Sequence, residues 1–348
     1  MAQLHVGRRN LGALAGAASL LPMLGAGRIA RAAEPITVTS FGGIFETTIR
    51  EVIVADYEKH SGNKARVLTG SPEQWMAQIE ANRAHPPIDV ILNQVDTCLV
   101  AGRMGLVEKF TVEKLPNLAD IPQQLSDMLQ GWGMVFTFGS WGFAYHERLK
   151  EPPRSFVELV DGTIKGKWRV ALPNAGYTGT PQVLIWSLAE ALGGSVTNVD
   201  PAFDAIKKMK PNVAFFASIT DPLTLLESGE ADISLYPDGR TWAAFDGGAK
   251  WLRYINPKEG GVNLPAIVQK VKNGSDLAWD YINTMLAPGP QSEVVKRLNY
   301  ETSNPKAVLP PELRARITPW QQCRFAPAEA VAAAKAGWIE RWNKEINA

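Results

Sequence analysis

The stretch 231–261 constrains this chain more than any other, because a hydrophobic run, a charged turn, a short helix and a second hydrophobic run follow one another without a break. Residues 231–236 are short and mostly apolar, the pattern of a buried strand, and they stop at Pro237, Asp238, Gly239 and Arg240. A short helix over 241–245 closes at Gly247 and Gly248, and 250–255 reads as a second strand. Strand and helix alternating in this way build an α/β sheet. Open α/β sheets take ligands in the crevice outside the carboxyl ends of their strands, and the Asp-Gly-Arg turn stands at such an end. Pro257, Lys258, Glu259, Gly260 and Gly261 follow as a charged, glycine-containing loop.

The same alternation opens the chain. Residues 36–40 form a strand that ends at Phe41, Gly42 and Gly43, and Phe45, Ile49, Val52, Ile53 and Tyr57 then share one helical face. Residues 64–69 form the next strand. Ser71, Pro72 and Gln74 occupy the N-cap, first and third positions of the helix after it, the pattern of a capping box. A third strand, 88–92, ends at Asn93, Gln94, Val95 and Asp96. Three successive strand-to-helix units predict a parallel sheet with crossover helices. A second set starts at 167–172, continues through the loop 174–180 and a helix over 181–192, and includes Asp200-Pro201 and Asp221-Pro222 as N-caps followed by proline. The tail 328–347 is an Ala-rich amphipathic helix with Trp338 and Trp342 one turn apart.

A chain of 348 residues exceeds one ordinary core, so two lobes are expected. Residues 1–32 read as an export signal. Arg8 and Arg9 precede an apolar, Gly/Ala-rich run, Ala30-Arg31-Ala32 resembles a cleavage site, and the paired arginines point to the twin-arginine route. The run is short and broken by Pro22, which argues against a membrane anchor. Cleavage after Ala32 removes four arginines and no acidic residue, so the formal charge moves from +1 to −3. The longest basic cluster, Lys207, Lys208 and Lys210, lies on a helix, and no nucleic-acid partner is expected. Cys98 and Cys323, the only two cysteines, could pair in an oxidising compartment.

Asp238-Gly239-Arg240 with its following helix and strand, then Pro257-Lys-Glu-Gly-Gly261, Asn273, Ile282-Asn283, Asn299-Tyr300, Asn304 and Pro305 together resemble the bacterial extracellular solute-binding proteins, and among them the spermidine and putrescine binders. The resemblance covers nearly the whole mature chain. It implies a two-lobed α/β fold of the periplasmic-binding type, each lobe a mixed, mostly parallel sheet flanked by helices and hinged around a central cleft. Residues 33–138 and 258–302 would form the first lobe, and 139–257 and 303–348 the second. It further implies a monomeric periplasmic protein that hands a small solute to the membrane permease of an ABC importer, with no cofactor.

The cleft loops of that fold would carry Ser40, Phe41, Gly43, Ser71, Asp96, Trp141, Tyr177, Thr178, Tyr236, Asp238 and Arg240, with Glu259 and Asn263 at the return crossing. Aromatic faces and carboxylates suit an amine, each cation–π contact being worth about 0.5–2 kcal/mol, and Asp238 is the expected anchor for an ammonium. The competing reading pairs Asp238 with Arg240. Polyamine binders carry Trp-x-Asp beyond the Pro-Lys-Glu-Gly run, whereas this chain has Val262, Asn263, Leu264 and Pro265. With Arg240 able to grip a carboxylate, an amino-acid-like zwitterion competes with a diamine. An anionic solute such as a phosphonate or sulfonate, or ferric iron held by Tyr177 and Tyr236, are the alternatives. A secreted enzyme is the alternative of another class, but no catalytic or metal-ligating residue stands out. His60, His85 and His146 have no partners at metal or triad spacing, and Gly139-Ser140-Trp141-Gly142 lacks the spacing of a hydrolase elbow.

Overall fold

The computed structural model describes residues 34–347, and the export segment expected over 1–32 lies outside them. β1 (Ile36–Ser40), β2 (Ala65–Thr69) and β3 (Val90–Asn93) run parallel, with β1 paired to both neighbours. Helices connect them as the periodicity predicts. Helix Pro72–Ala81 starts with the capping box: Ser71 Oγ accepts from the Gln74 N–H at 3.5 Å and Gln74 Oε1 accepts from the Ser71 N–H at 3.2 Å.

β4 (Met134–Phe138) runs through Gly139 directly into β5 (Ser140–His146), yet the two strands belong to different sheets. β6 (Val170–Pro173), β7 (Val213–Phe216), β8 (Ile233–Pro237), β9 (Leu252–Ile255) and β10 (Val262–Asn263) complete the second sheet, ordered β10-β5-β8-β6-β7 with β9 also on β5. β11 (Ala266–Lys270) and β12 (Glu301–Thr302) rejoin the first, ordered β12-β4-β11-β3-β1-β2. Both sheets are mixed. β10 bonds to β5, so the chain returns to the first sheet at Leu264 and Pro265, past the charged loop 257–261 at which the return was expected.

Each sheet has its own core: Val38, Ile91, Phe136, Val268 and Ile282 in the first, Phe143, Leu172, Phe203 and Leu235 in the second. These side chains are inside because buried strands place apolar residues on both faces, and helices cover both. Helix Ala328–Glu345 inserts Val331, Trp338 and Trp342 into the second core, Trp342 meeting Phe203 and Phe215 edge-on. Asp200 and Asp221 are the first residues of their helices rather than N-caps, which fall to Val199 and Thr220. Cys98 and Cys323 are both unbonded, Cys98 buried and Cys323 half-buried. Among the described residues no helix is long and apolar enough to cross a membrane.

Candidate functional site

The carboxyl ends of the parallel strands and the crossings between sheets enclose a cavity of about 260 Å³. Its walls are aromatic: Phe41 and Phe45 come from the loop and helix after β1, Trp141 from β5, Tyr177 from the loop after β6, and Tyr300 from the segment before β12. Trp141 and Tyr177 lie 5.6 Å apart between ring centroids, and Phe41 packs on Trp75 at 5.9 Å. Burial pushes the Tyr177 and Tyr300 hydroxyls up, far from ionisation.

Among the described residues Arg240 is the only charged side chain lining this chamber. It reaches from the second lobe to the first, where its Nη2 donates to the Gly42 carbonyl at 3.3 Å, and it has no carboxylate partner among the described residues. Three helices start at the same chamber. Ser71 caps Pro72–Ala81, Gln94 caps Val95–Arg103 and Pro237 precedes Asp238–Asp246, so the positive end of each helix dipole lies at the chamber. A guanidinium and three helix N-termini in an aromatic box favour negative charge.

Leu264 and Pro265 separate this chamber from a second cavity of about 290 Å³, whose other walls include Asp96, Gln182 and Asn263. Asp96 Oδ1, Gln182 Oε1 and both amide atoms of Asn263 are buried there without a hydrogen-bond partner. Asp127 and Glu329 also line it, so its lining is rich in acceptors and negative charge. The two chambers thus have opposite polarity. Among the described residues no group of three or more His, Cys, Asp or Glu side chains could hold a metal.

Residues 52–318 match the family of bacterial extracellular solute-binding proteins. This chain belongs to that family. The solute-binding protein is 26% identical over 224 residues to the spermidine/putrescine-binding periplasmic protein of Salmonella typhimurium, a match covering 60% of this chain and 62% of that protein's length. It is 24% identical over 230 residues to the Escherichia coli protein of the same name, with the same coverage. Among solved structures, an ABC transporter substrate-binding protein from Bradyrhizobium japonicum superposes with a TM-score of 0.76 at 23% identity, covering 90% of this chain and 99% of that one. AgtB of Agrobacterium tumefaciens, solved with agropinic acid, gives 0.74 at 20% identity over 90% of this chain and 99% of its own.

Within the solute-binding protein the expected site residues separate into groups. Phe41, Ser71, Trp141, Tyr177, Thr178 and Arg240 line the first chamber, and Asp96 and Asn263 the second. Gly43 lies behind Arg240, and Ser40 is buried with its hydroxyl on the Phe41 carbonyl. Tyr236 does not line either chamber; it packs edge-on behind Trp141 at 6.4 Å and its hydroxyl donates to the Ile219 carbonyl at 2.9 Å. Glu259 lines neither chamber, although its Oε2 is buried and unpartnered.

Asp238 is the main correction. It neither faces the chamber nor pairs with Arg240. The charged turn is the first turn of helix Asp238–Asp246, which folds the carboxylate back: Oδ1 accepts from the Gly239 N–H at 2.7 Å and the Ser140 N–H at 3.1 Å, and Oδ2 from the Thr318 N–H at 3.2 Å. It joins the first crossing to the C-terminal segment, beside Asn256, which accepts from Ser140 Oγ and Tyr254 and donates to Thr318. Burial pushes its carboxyl up to about 7 against the three amides that favour ionisation. Gly239 is small for packing: a Cβ there would strike the Tyr300 ring and the Leu298 carbonyl.

Gln182 and Tyr300 were not expected as site residues. Gln182 follows proline inside an apolar helix and carries no sequence signal of its own. Tyr300 was visible only as part of Asn299-Tyr300.

Proposed function

We propose that the protein captures a compact solute carrying both an acid and an amine, and presents it to the membrane permease of an ABC importer in the periplasm. The acid group sits on Arg240 in the aromatic chamber, and the ammonium lies toward the acceptors beyond Leu264 and Pro265. The observation that carries this reading is Arg240, among the described residues the only charge lining the first chamber and without a carboxylate partner. A half-buried cation facing an aromatic chamber without a carboxylate partner is a ready seat for an anion. A diamine would place a second positive charge beside it, and no acidic side chain of that chamber would offset the repulsion.

The second chamber supplies the complement. The oxygens Asp96 Oδ1, Gln182 Oε1 and Asn263 Oδ1 are without donors, although Asp96 Oδ2 lies 3.6 Å from Lys335 Nζ, and a protonated amine brings three donors. The chamber volumes, at or below the range usual for drug-sized ligands, favour a small molecule. Family membership, and similarity to a spermidine/putrescine-binding periplasmic protein, support the transport role. Closure of the lobes about the crossings at Gly139 and at Leu264–Pro265, as nearly rigid bodies, would then bury the solute.

A thermal-shift panel of matched trios tests the reading. Each trio shares one carbon skeleton and contains the amino acid, the amine lacking the acid, and the acid lacking the amine. Saturation at about a hundredfold excess over Kd stabilises the native state by about 2.7 kcal/mol, a shift of several degrees. The amino acids are expected to shift the protein, their amines to be silent. Shifts by spermidine and putrescine with none by any acid-bearing compound would overturn it.

A further inference from the structure

The C-terminal helix Ala328–Glu345 packs along helix Val95–Arg103 of the first lobe and sends Val331, Trp338 and Trp342 into the second core. Held on both sides, it places Lys335, whose side chain is only 19% exposed, between two carboxylates. Lys335 Nζ lies 3.0 Å from Glu73 Oε1 and 3.6 Å from Asp96 Oδ2. Asp96 is 2% exposed, and its other oxygen, Oδ1, is buried without a donor on the wall of the second chamber. The other acids lining that chamber, Asp127 and Glu329, are exposed to water, and Glu329 already lies 3.6 Å from Arg103 Nη1. Among the described residues that line it, Asp96 is therefore the one desolvated acid, and an ammonium of the chain itself lies against it.

We propose that Lys335 determines solute specificity by filling, from within the chain, the seat between Asp96 and Glu73 that a free amine would otherwise take. An ammonium is held by charge-assisted bonds to carboxylates, and Lys335 already stands in that arrangement. A largely buried pair is little screened by salt, so the lysine weakens the pull of Asp96 on any other cation nearby. An amine entering the second chamber meets one oxygen of a carboxylate that is already paired, too little to repay its own desolvation. A solute that also sets an acid on Arg240 gains a second charged contact and is retained. Lys335 thus makes capture depend on both ends of the solute. The proposal deepens the reading above and rests on it for the place of the ammonium.

Lys335→Met tests it. Methionine ends one atom short of the lysine ammonium, so the variant loses the charge, keeps most of the apolar stem and leaves room for one nitrogen against Asp96 Oδ2. Calorimetric titration uses n-butylammonium, whose tail suits Leu99, Met128 and Phe325 on the chamber wall, and the variant is expected to bind it at least about tenfold more tightly than the wild type. Adding Asp96→Asn to Lys335→Met should abolish the gain, and tetramethylammonium, which has no N–H to donate, should bind neither protein. Removing one partner of a buried pair destabilises a fold; if Lys335→Met loses its cooperative melting transition, the shorter and uncharged Lys335→Gln decides instead. Equal n-butylammonium affinity in variant and wild type, or a gain that survives Asp96→Asn, would overturn the proposal. The readout is the ratio of variant to wild type for an amine, whereas the reading above is tested by amino acids on the wild type. A wild type that ignores amino acids beside a variant that gains the amine refutes that reading and leaves Lys335 standing; the reverse refutes the role of Lys335 alone.

Discussion

Asp238→Asn separates a structural carboxylate from a ligand anchor. In the folded protein burial holds the Asp238 carboxyl up to about 7, whereas an unfolded chain ionises it at about 4. Between those values the folded state binds a proton that the unfolded state does not. Stability from this group is therefore fully present below about pH 4 and is lost as the pH rises from there through about 7. Between about pH 5 and pH 8 the two ionisation curves diverge by roughly two units, and at about 1.4 kcal/mol per unit the loss is on the order of 2–3 kcal/mol. Urea unfolding of wild type and Asp238→Asn at the two pH values isolates it, since other titrating groups cancel in the double difference. The asparagine is expected to remove the pH-dependent part and to leave the preferred ligand class unchanged. Identical pH dependence in the two proteins would refute this account of the carboxylate, and loss of amino-acid binding alone, with stability untouched, would return Asp238 to the cleft.

Trp342→Ala empties a fully buried position between Phe203 and Phe215 and should cost about 3–5 kcal/mol in denaturant unfolding; a cost below about 1 kcal/mol would mean that the C-terminal helix is not anchored in the second core. Gly239→Ala brings a Cβ against Tyr300 and the Leu298 carbonyl, so both melting temperature and solute affinity should fall, whereas an unchanged protein would show that Tyr300 does not hold the third wall of the chamber. Cys98 and Cys323 should both react with a thiol reagent in denaturant without reductant. In the native state Cys323 should react first but slowly, because burial pushes its thiol up to about 11, while Cys98 is fully enclosed. A requirement for reductant would reveal a disulfide.

Much of the architecture was legible because it rests on local rules. Apolar runs of strand length followed by 3.6-periodic helices marked β1 to β3, and Ser71-Pro72-Gln74 fixed one helix start to the residue. The site was legible by loop but not by side chain. The Asp-Gly-Arg sequence reads equally as an exposed turn or as the opening turn of a helix, and only the packing of Tyr300 on Gly239 selects the second. That choice turns Asp238 inward and leaves Arg240 at the chamber. The return crossing was displaced for a similar reason: Val262 and Asn263 are too short a run to announce a strand, and their partners Trp141 and Ser140 lie on a strand far earlier in the chain. Gln182 had no signal because an amide in an apolar helix looks the same whether or not it faces a cavity.

Arg240 carries the central claim, and calorimetric titration of Arg240→Gln tests it most directly. The amino acid giving the largest thermal shift is titrated into wild type and variant at one salt concentration. A hydrogen bond to a charged group is worth about 1.5–3 kcal/mol, so a carboxylate held by this guanidinium predicts a loss of affinity of roughly tenfold to a hundredfold, with the matched amine still silent. Equal affinities in the two proteins, or a variant that now binds the amine as tightly as the acid-bearing compound binds the wild type, would contradict the account.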